Sequence, residues 1–313
     1  MEIPVYLFTG FLESGKTSFI QETLEDKRFN KGERTLVLLC EEGEVELEPS
    51  KYPGKNVFIE TVEEPSQLTA ETLAGWQKQH RAQRVIIEYN GMWMLQTLFN
   101  AMPQEWVIYQ ELLFADANTF LSYNANMRGL VVDKLNTPEL VVFNRMPKDM
   151  DKLPLHKIVR GVSRRPDIAY DHGGDDVEYD DIEDPLPFDV NAPVIEIADS
   201  DYALWYRDLS ENMDAYKGKT VEFKGQVVLD KTVPAGCFII GRPLMTCCAE
   251  DIRFAGLACE WPQAAQLTLK EWVRVRATLS VRKHPCYGRV GPVLTAVSVE
   301  KAEAPENEVA TFY

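Results

Sequence analysis

Two glycines, a lysine and a threonine at fixed spacing behind an apolar run restrict this chain more than any other feature. Val5-Tyr6-Leu7-Phe8-Thr9 leads into Gly10-x-x-x-x-Gly15-Lys16-Thr17-Ser18, and a helical stretch with Phe19, Ile20 and Leu24 follows. Strand, glycine loop, helix is the order in which successive backbone N–H groups can turn inward as an anion nest. Gly10 and Gly15 permit backbone angles closed to most residues. The helix adds unpaired N–H groups and its positive dipole end. In such a loop Lys16 reaches the terminal phosphates of a nucleoside triphosphate and the Thr17 hydroxyl ligates Mg²⁺. Glu13, Ser14 and Ser18 are the further phosphate-side residues of the pattern.

The rest of the first half alternates apolar strands with helices. Arg34 to Leu39 reads as a buried parallel strand that ends in Cys40-Glu41-Glu42-Gly43-Glu44. Ligands of doubly wound sheets collect at such carboxyl ends, so Glu41 is a candidate metal ligand, with a solvated acidic loop as the equal alternative. Strands are also expected at Asn56 to Ile59, Leu112 to Asp116, Leu140 to Asn144 and Ile168 to Tyr170, and helices at Leu68 to Gln79 and His156 to Arg164. Arg84-Val85-Ile86-Ile87-Glu88 is the apolar strand ending in an acid that a phosphate loop requires opposite it. Glu88 is therefore expected to hold Mg²⁺ or orient the attacking water, and Gly91 to let the backbone approach the γ-phosphate. Asn144-Arg145 stands where a base-reading loop belongs. The expected fold is an α/β domain with a mostly parallel, doubly wound sheet over residues 1–172.

With 313 residues the chain has room for two domains. A formal net charge of −16 argues against nucleic acid and anionic membranes as partners, since no basic excess exists to displace counterions. Six cysteines without framework spacing read as reduced thiols or metal ligands of a cytoplasmic protein. No apolar run reaches transmembrane length. Residues 171–184 are densely acidic, and the stretch 173–193 reads as a solvated linker. Beyond it the period becomes two: Val221 and Phe223, then Val273, Val275, Ala277, Leu279 and Val281, then Val293, Thr295, Val297 and Val299. That pattern predicts a small, mainly-β, barrel-like domain over 194–313.

Thr9-Gly10-Phe11-Leu12-Glu13-Ser14-Gly15-Lys16-Thr17 resembles the phosphate loop of the CobW-like GTPases, a metal-insertion group that commonly reads T-G-F-L-G-(A/S)-G-K-T. Cys40-Glu41-Glu42-Gly43-Glu44 is similar to that group's N-E-F-G-E, Glu88-Tyr89-Asn90-Gly91 to its E-(S/T)-x-G, and Asp116-Ala117-Asn118-Thr119-Phe120 to its D-A-x-x-F. The resemblance covers about residues 3 to 170. It implies a slow GTPase using Mg²⁺, with Lys16 and Glu88 in the catalytic roles and a role in metal, zinc above all, homeostasis or delivery to a metalloprotein client.

Two departures stand out. The group's G-C-x-C-C metal motif has no counterpart in Phe58 to Pro65, so a metal carried here would need other ligands, such as Cys40 and its glutamates. The guanine-reading N-K-x-D appears as Asn144-Arg145-Met146-Pro147. Losing the hydrogen bonds of that aspartate costs on the order of 1.5–3 kcal/mol, about ten- to a hundredfold in base preference, so ATP stands as the alternative to GTP unless Asp149 substitutes.

The second half, with Tyr216-Lys217-Gly218-Lys219-Thr220-Val221 and Arg242-Pro243-Leu244-Met245-Thr246-Cys247-Cys248-Ala249-Glu250-Asp251, resembles the YcgQ-like domain. That family lies beside predicted permeases and is associated with zinc regulation. The resemblance implies a membrane permease as a partner, the chain itself being no membrane protein. Cys247 and Cys248 are candidate Zn²⁺ ligands, with Cys237, Cys259, His284 or Cys286 completing the set. Adjacent side chains on a strand face opposite ways, so one buried and one exposed free cysteine is the competing reading. Two rival functional classes remain: a non-hydrolysing, nucleotide-dependent regulator or scaffold for a permease, and a kinase with an acceptor site.

Overall fold

Strand β1 (Ile3–Thr9) is apolar on both faces because it runs near the middle of a sheet, and Val5 and Leu7 are fully buried. The computed structural model describes residues 2–174, 176–230, 233–246 and 252–312, which divide into two units, Met1–Ile182 and Glu183–Tyr313. In the first, β1 is followed by α1 (Lys16–Glu25), β2 (Thr35–Leu39), β3 (Val57–Thr61), α2 (Ala70–His80), β4 (Arg84–Glu88), α3 (Leu95–Ala101) and β5 (Trp106–Asp116). Then come α4 (Phe120–Asn126), α5 (Arg128–Leu135), β6 (Leu140–Asn144), α6 (Leu153–Val162), β7 (Asp167–Asp171) and β8 (Val177–Tyr179).

The eight strands lie in the order β3-β2-β4-β1-β5-β6-β7-β8. Every pairing is parallel except that of β7 with β8. Register decides where the chemistry sits. Phe8 pairs with Glu88, Leu39 also pairs with Glu88, and Asp116 pairs with Asn144. The ends of β1, β2 and β4 are thus level, β5 and β6 run three residues further, and the loops carrying the expected site residues leave one edge of the sheet.

Several boundaries differ from the sequence reading. β5 starts at Trp106 rather than Leu112, and its extra residues include exposed Val107 and Tyr109, so the apolar run that marks a buried strand is missing there. Helices α3, α4 and α5 fall where no element is expected, because their Asn-, Ser- and Gly-containing stretches carry weak helical preference. The acidic stretch is not all solvated linker. Val177–Tyr179 forms β8, and the Asp180 side chain is buried, its carboxylate accepting from the Tyr170 hydroxyl at 2.8 Å and facing His156 Nδ1 at 2.8 Å.

In the second unit β9 (Ile195–Glu196) and α7 (Tyr202–Glu211) precede five long strands: β10 (Thr220–Val228), β11 (Cys237–Leu244), β12 (Arg253–Glu260), β13 (Trp272–Lys283) and β14 (Val290–Lys301). They close in the order β10-β11-β12-β14-β13-β10, with β12 and β14 parallel and the other pairs antiparallel. This is the strand order of the OB barrel. β10 alternates buried and half-buried residues strictly, so Val221, Phe223 and Val227 point inward onto Trp205 and Leu209 of α7.

The expected alternation of β14 fails at one point. A register shift opposite Arg276/Ala277 leaves Val297 without a partner, and Val297 is 66% exposed. Past that bulge the inward set becomes Leu294 and Ala296 rather than Thr295 and Val297.

Candidate nucleotide site

The loop after β1 is built from conformations its sequence demands. Gly10 and Gly15 have φ of 136° and 100°, and Glu13 also lies in the left-handed region at 59°. A Cβ on Gly10 would stand 2.1 Å from the Phe114 carbonyl oxygen, and one on Gly15 would stand 2.0 Å from Asn144 Nδ2. The loop is therefore seated against the ends of β5 and β6 as closely as a backbone allows. Phe11 stacks on Tyr123 of α4 with centroids 4.1 Å apart, an anchor the sequence reading missed.

Lys16 is 2% exposed. Its ammonium donates to the carbonyls of Gly10 and Phe11 at 2.9 Å each and forms an ion pair with Glu41. Thr17 Oγ1 donates to Glu88 Oε1 at 2.7 Å, whereas Glu88 Oε2 is buried without a hydrogen-bond partner. Burial pushes the Glu88 carboxyl above the usual carboxylate range, against the pull of the Thr17 hydrogen bond and the Lys16 charge. A buried carboxylate oxygen left unpaired costs free energy. A divalent cation beside the Thr17 hydroxyl would satisfy it, so the residues present fit Mg²⁺.

The remaining expected residues converge on the same loop. Asn144 donates through Nδ2 to the Ser14 carbonyl at 3.2 Å and accepts through Oδ1 from the Arg145 N–H at 2.7 Å. Arg145, with φ of 54°, is held by Asp116 at 2.7 and 2.8 Å and donates to the Glu13 carbonyl. Its guanidinium is thereby drawn to the phosphate loop. The D-A-x-x-F motif supplied the signal for Asp116, which the sequence reading gave no role. Glu13 Oε1 accepts from the Glu44 N–H at 2.7 Å and ties the loop to the turn after β2. Leu12 to Ser18, Glu41, Gly43, Val45, Glu88 and Arg145 together line one pocket. A neighbouring cavity of 310 Å³ shares Thr17, Glu41 and Glu88 with it and adds Glu42 and Glu46.

Two expectations need correction. Gly91 does not open space for a phosphate; a Cβ there would stand 2.6 Å from the Gly10 oxygen and the Phe11 Cα, so the glycine lets the turn after β4 pack against the loop itself. Cys40 is buried in the apolar core rather than open to solvent beside the exposed Glu42 and Glu44, with burial pushing its thiol up to about 12. Cys247 and Cys248 lie outside the described residues. Cys259, one of their expected companions, is fully buried and faces the barrel interior, because strand alternation sends its neighbour Glu260 outward. Burial holds its thiol far above the ordinary range.

A glycine loop between the first strand and helix, with an acid level with it at the end of β4, makes the first unit a P-loop nucleoside-triphosphatase fold. The second unit is a separate, mainly-β barrel. Residues 176–310 match the family model described as the DUF1980 C-terminal domain, in the half whose motifs resemble the YcgQ-like domain. Among solved structures the chain is similar to a zinc-bound triple mutant of the YjiA GTPase, at 20% identity and a TM-score of 0.42, covering 56% of this chain and 59% of that one. It is also similar to the hydrogenase maturation factor HypB from Archaeoglobus fulgidus, at 13% identity and a TM-score of 0.38, covering 54% of this chain and 80% of that one. No curated protein matches the chain.

Proposed function

We propose that the first unit binds and slowly hydrolyses a nucleoside triphosphate with Mg²⁺, GTP ahead of ATP, and that the chain serves metal handling. The observation that carries the nucleotide reading is the Thr17–Glu88 hydrogen bond of 2.7 Å beside an unpaired buried Glu88 oxygen, at the mouth of the loop that holds Lys16. When bound, Mg²⁺ would neutralise charge developing on the phosphates. In this reading Lys16 leaves Glu41 and the loop carbonyls for the phosphates, the loop N–H groups hold the anion, and Glu88 and Thr17 hold the metal. Gly15, Ser14 and Ser18 complete the phosphate cradle, and Asn144 and Arg145 brace it from the side on which a base would lie.

Metal handling is supported by the motif resemblance to the CobW-like group and by the acidic cavity beside the loop. The donors of that cavity are oxygens, which suit hard cations. Zinc as cargo, the client and the permease are drawn from the resemblances. Lys16→Ala is expected to abolish triphosphate binding measured by calorimetry, and Thr17→Ala to weaken mainly its Mg²⁺ dependence. Equal affinity in wild type and both variants would sink the reading. Phosphate release that ignores Glu88→Gln would remove Glu88 from the catalytic role, whereas no release from the wild type would leave a binding protein.

A further inference from the structure

Three residues far apart in sequence meet at one end of the barrel. Cys237 opens β11, Glu260 closes β12 in register with it, and His284 follows β13. One donor atom from each lies within 4.8 Å of the other two. Strand alternation explains the placement. Phe238 and Cys259 form the adjacent inward pair, so Cys237 and Glu260 share the outer side.

The backbone around them is fixed on three sides. The Cys237 N–H donates to the Pro234 carbonyl at 3.0 Å, and the Trp261 N–H donates to the Gly236 carbonyl at 2.8 Å. The turn bearing His284 is pinned through Tyr287, whose hydroxyl donates to the Pro292 carbonyl at 2.7 Å and accepts from the Ala258 N–H at 2.7 Å. Arg282 engages Glu260 Oε2 at 2.6 Å and leaves Oε1 directed at His284 Nε2, 3.6 Å away. That gap is too long for a hydrogen bond. His284 is 3% exposed, whereas Cys237 and Glu260 are half-buried, so the cluster has a packed floor and an accessible rim.

We propose that Cys237 Sγ, Glu260 Oε1 and the His284 imidazole form a zinc site on the barrel. Thiolate, imidazole and carboxylate together suit a borderline cation and neither Mg²⁺ nor Ca²⁺. Zinc bonds of about 2.0–2.3 Å place tetrahedral ligand atoms about 3.3–3.8 Å apart, and side-chain rotation covers the difference from the observed spacing. The His284 Nδ1 now accepts a long hydrogen bond from the Cys286 N–H at 3.3 Å. Ligation through Nε2 moves the ring proton to Nδ1 and gives up that weak bond. Three protein ligands leave a fourth position open, which suits an ion that is exchanged or that binds water. This site stands on the barrel alone and is independent of the nucleotide reading.

The test is a zinc titration of the full-length protein against a chromophoric chelator, in excess Mg²⁺ so that zinc does not report the oxygen-rich loop. One equivalent is expected. Its affinity should fall at least about tenfold in Cys237→Ser and in Glu260→Gln, since even partners outside the ligand shell are worth ten- to a hundredfold. It should survive in Cys247→Ser/Cys248→Ser. Cobalt(II) added instead should give a thiolate charge-transfer band that Cys237→Ser removes. Because His284 is buried and its variant can misfold, the two half-buried positions carry the test, with circular dichroism confirming a native barrel. Absence of bound zinc, zinc unaffected by Cys237→Ser, or zinc lost in the Cys247→Ser/Cys248→Ser variant would each overturn the proposal.

Discussion

Glu111 shows what a buried carboxyl does to the pH dependence of the fold. It is 3% exposed, and burial pushes its carboxyl up to about 7, against the hydrogen bond from Thr137 at 2.8 Å. The unfolded chain releases this proton near pH 4.3, so between about 4.3 and 7 the folded state binds more protons than the unfolded one. The contribution is fully present below the lower value and is lost as pH rises through the upper one. Its full size is on the order of 3 kcal/mol. Glu111→Gln keeps an acceptor for Thr137 and removes the titration. Urea unfolding of this variant should give a flatter profile between pH 5 and 8, with a gain of about 1–3 kcal/mol at pH 8. A gain of the same size at pH 4 would assign the effect to packing instead. Glu88 is a second raised carboxyl, but its burial serves the proposed metal position, whereas no expected site residue approaches Glu111 in the hydrogen bonds it makes.

At the scale of elements, the contact that shapes the candidate site is backbone on backbone. A Cβ at residue 91 would lie 2.6 Å from the Gly10 oxygen, so Gly91→Ala must displace the loop without removing any side chain proposed to meet nucleotide. Overpacking of this kind costs about 1–3 kcal/mol. A tenfold or greater loss of triphosphate affinity in a folded Gly91→Ala variant is expected from calorimetry, and an unchanged affinity would show that the turn after β4 moves independently of the loop. Much of this arrangement was legible in the sequence. The loop, β4 with its acid and β6 were visible because parallel central strands are continuous apolar runs. Lys16, Glu41 and Arg145 were legible as residue types, but the pairing of Lys16 with Glu41 and of Arg145 with Asp116 was not, because spacing does not say which way a flexible side chain turns. The bulge in β14 was invisible for a related reason: one extra residue inverts a period-two pattern without changing its composition. Val297→Thr should therefore alter stability by no more than about 0.5 kcal/mol, while Leu294→Ala should cost about 2–5 kcal/mol. Equal losses would mean that the strand keeps its register through Val297.

For the whole molecule, composition and topology act on different matters. A net charge of −16 bears on partners and does not choose between folds. Among the described residues no helix is long and apolar enough to cross a membrane. The OB strand order also chooses no ligand, since one fold hosts many sites. Topology does govern the order in which the chain can be completed. Strand β14 is inserted between β12 and β13, so β12 holds one partner along its length until residues 290–301 arrive. At translation speeds of about 5–20 residues per second, the stretch from Glu260 to Lys301 takes roughly 2–8 s to emerge. During that interval the nascent barrel is an open sheet with an unpaired edge and an uncovered apolar face. A pause in synthesis after residue 260 would lengthen that exposure directly.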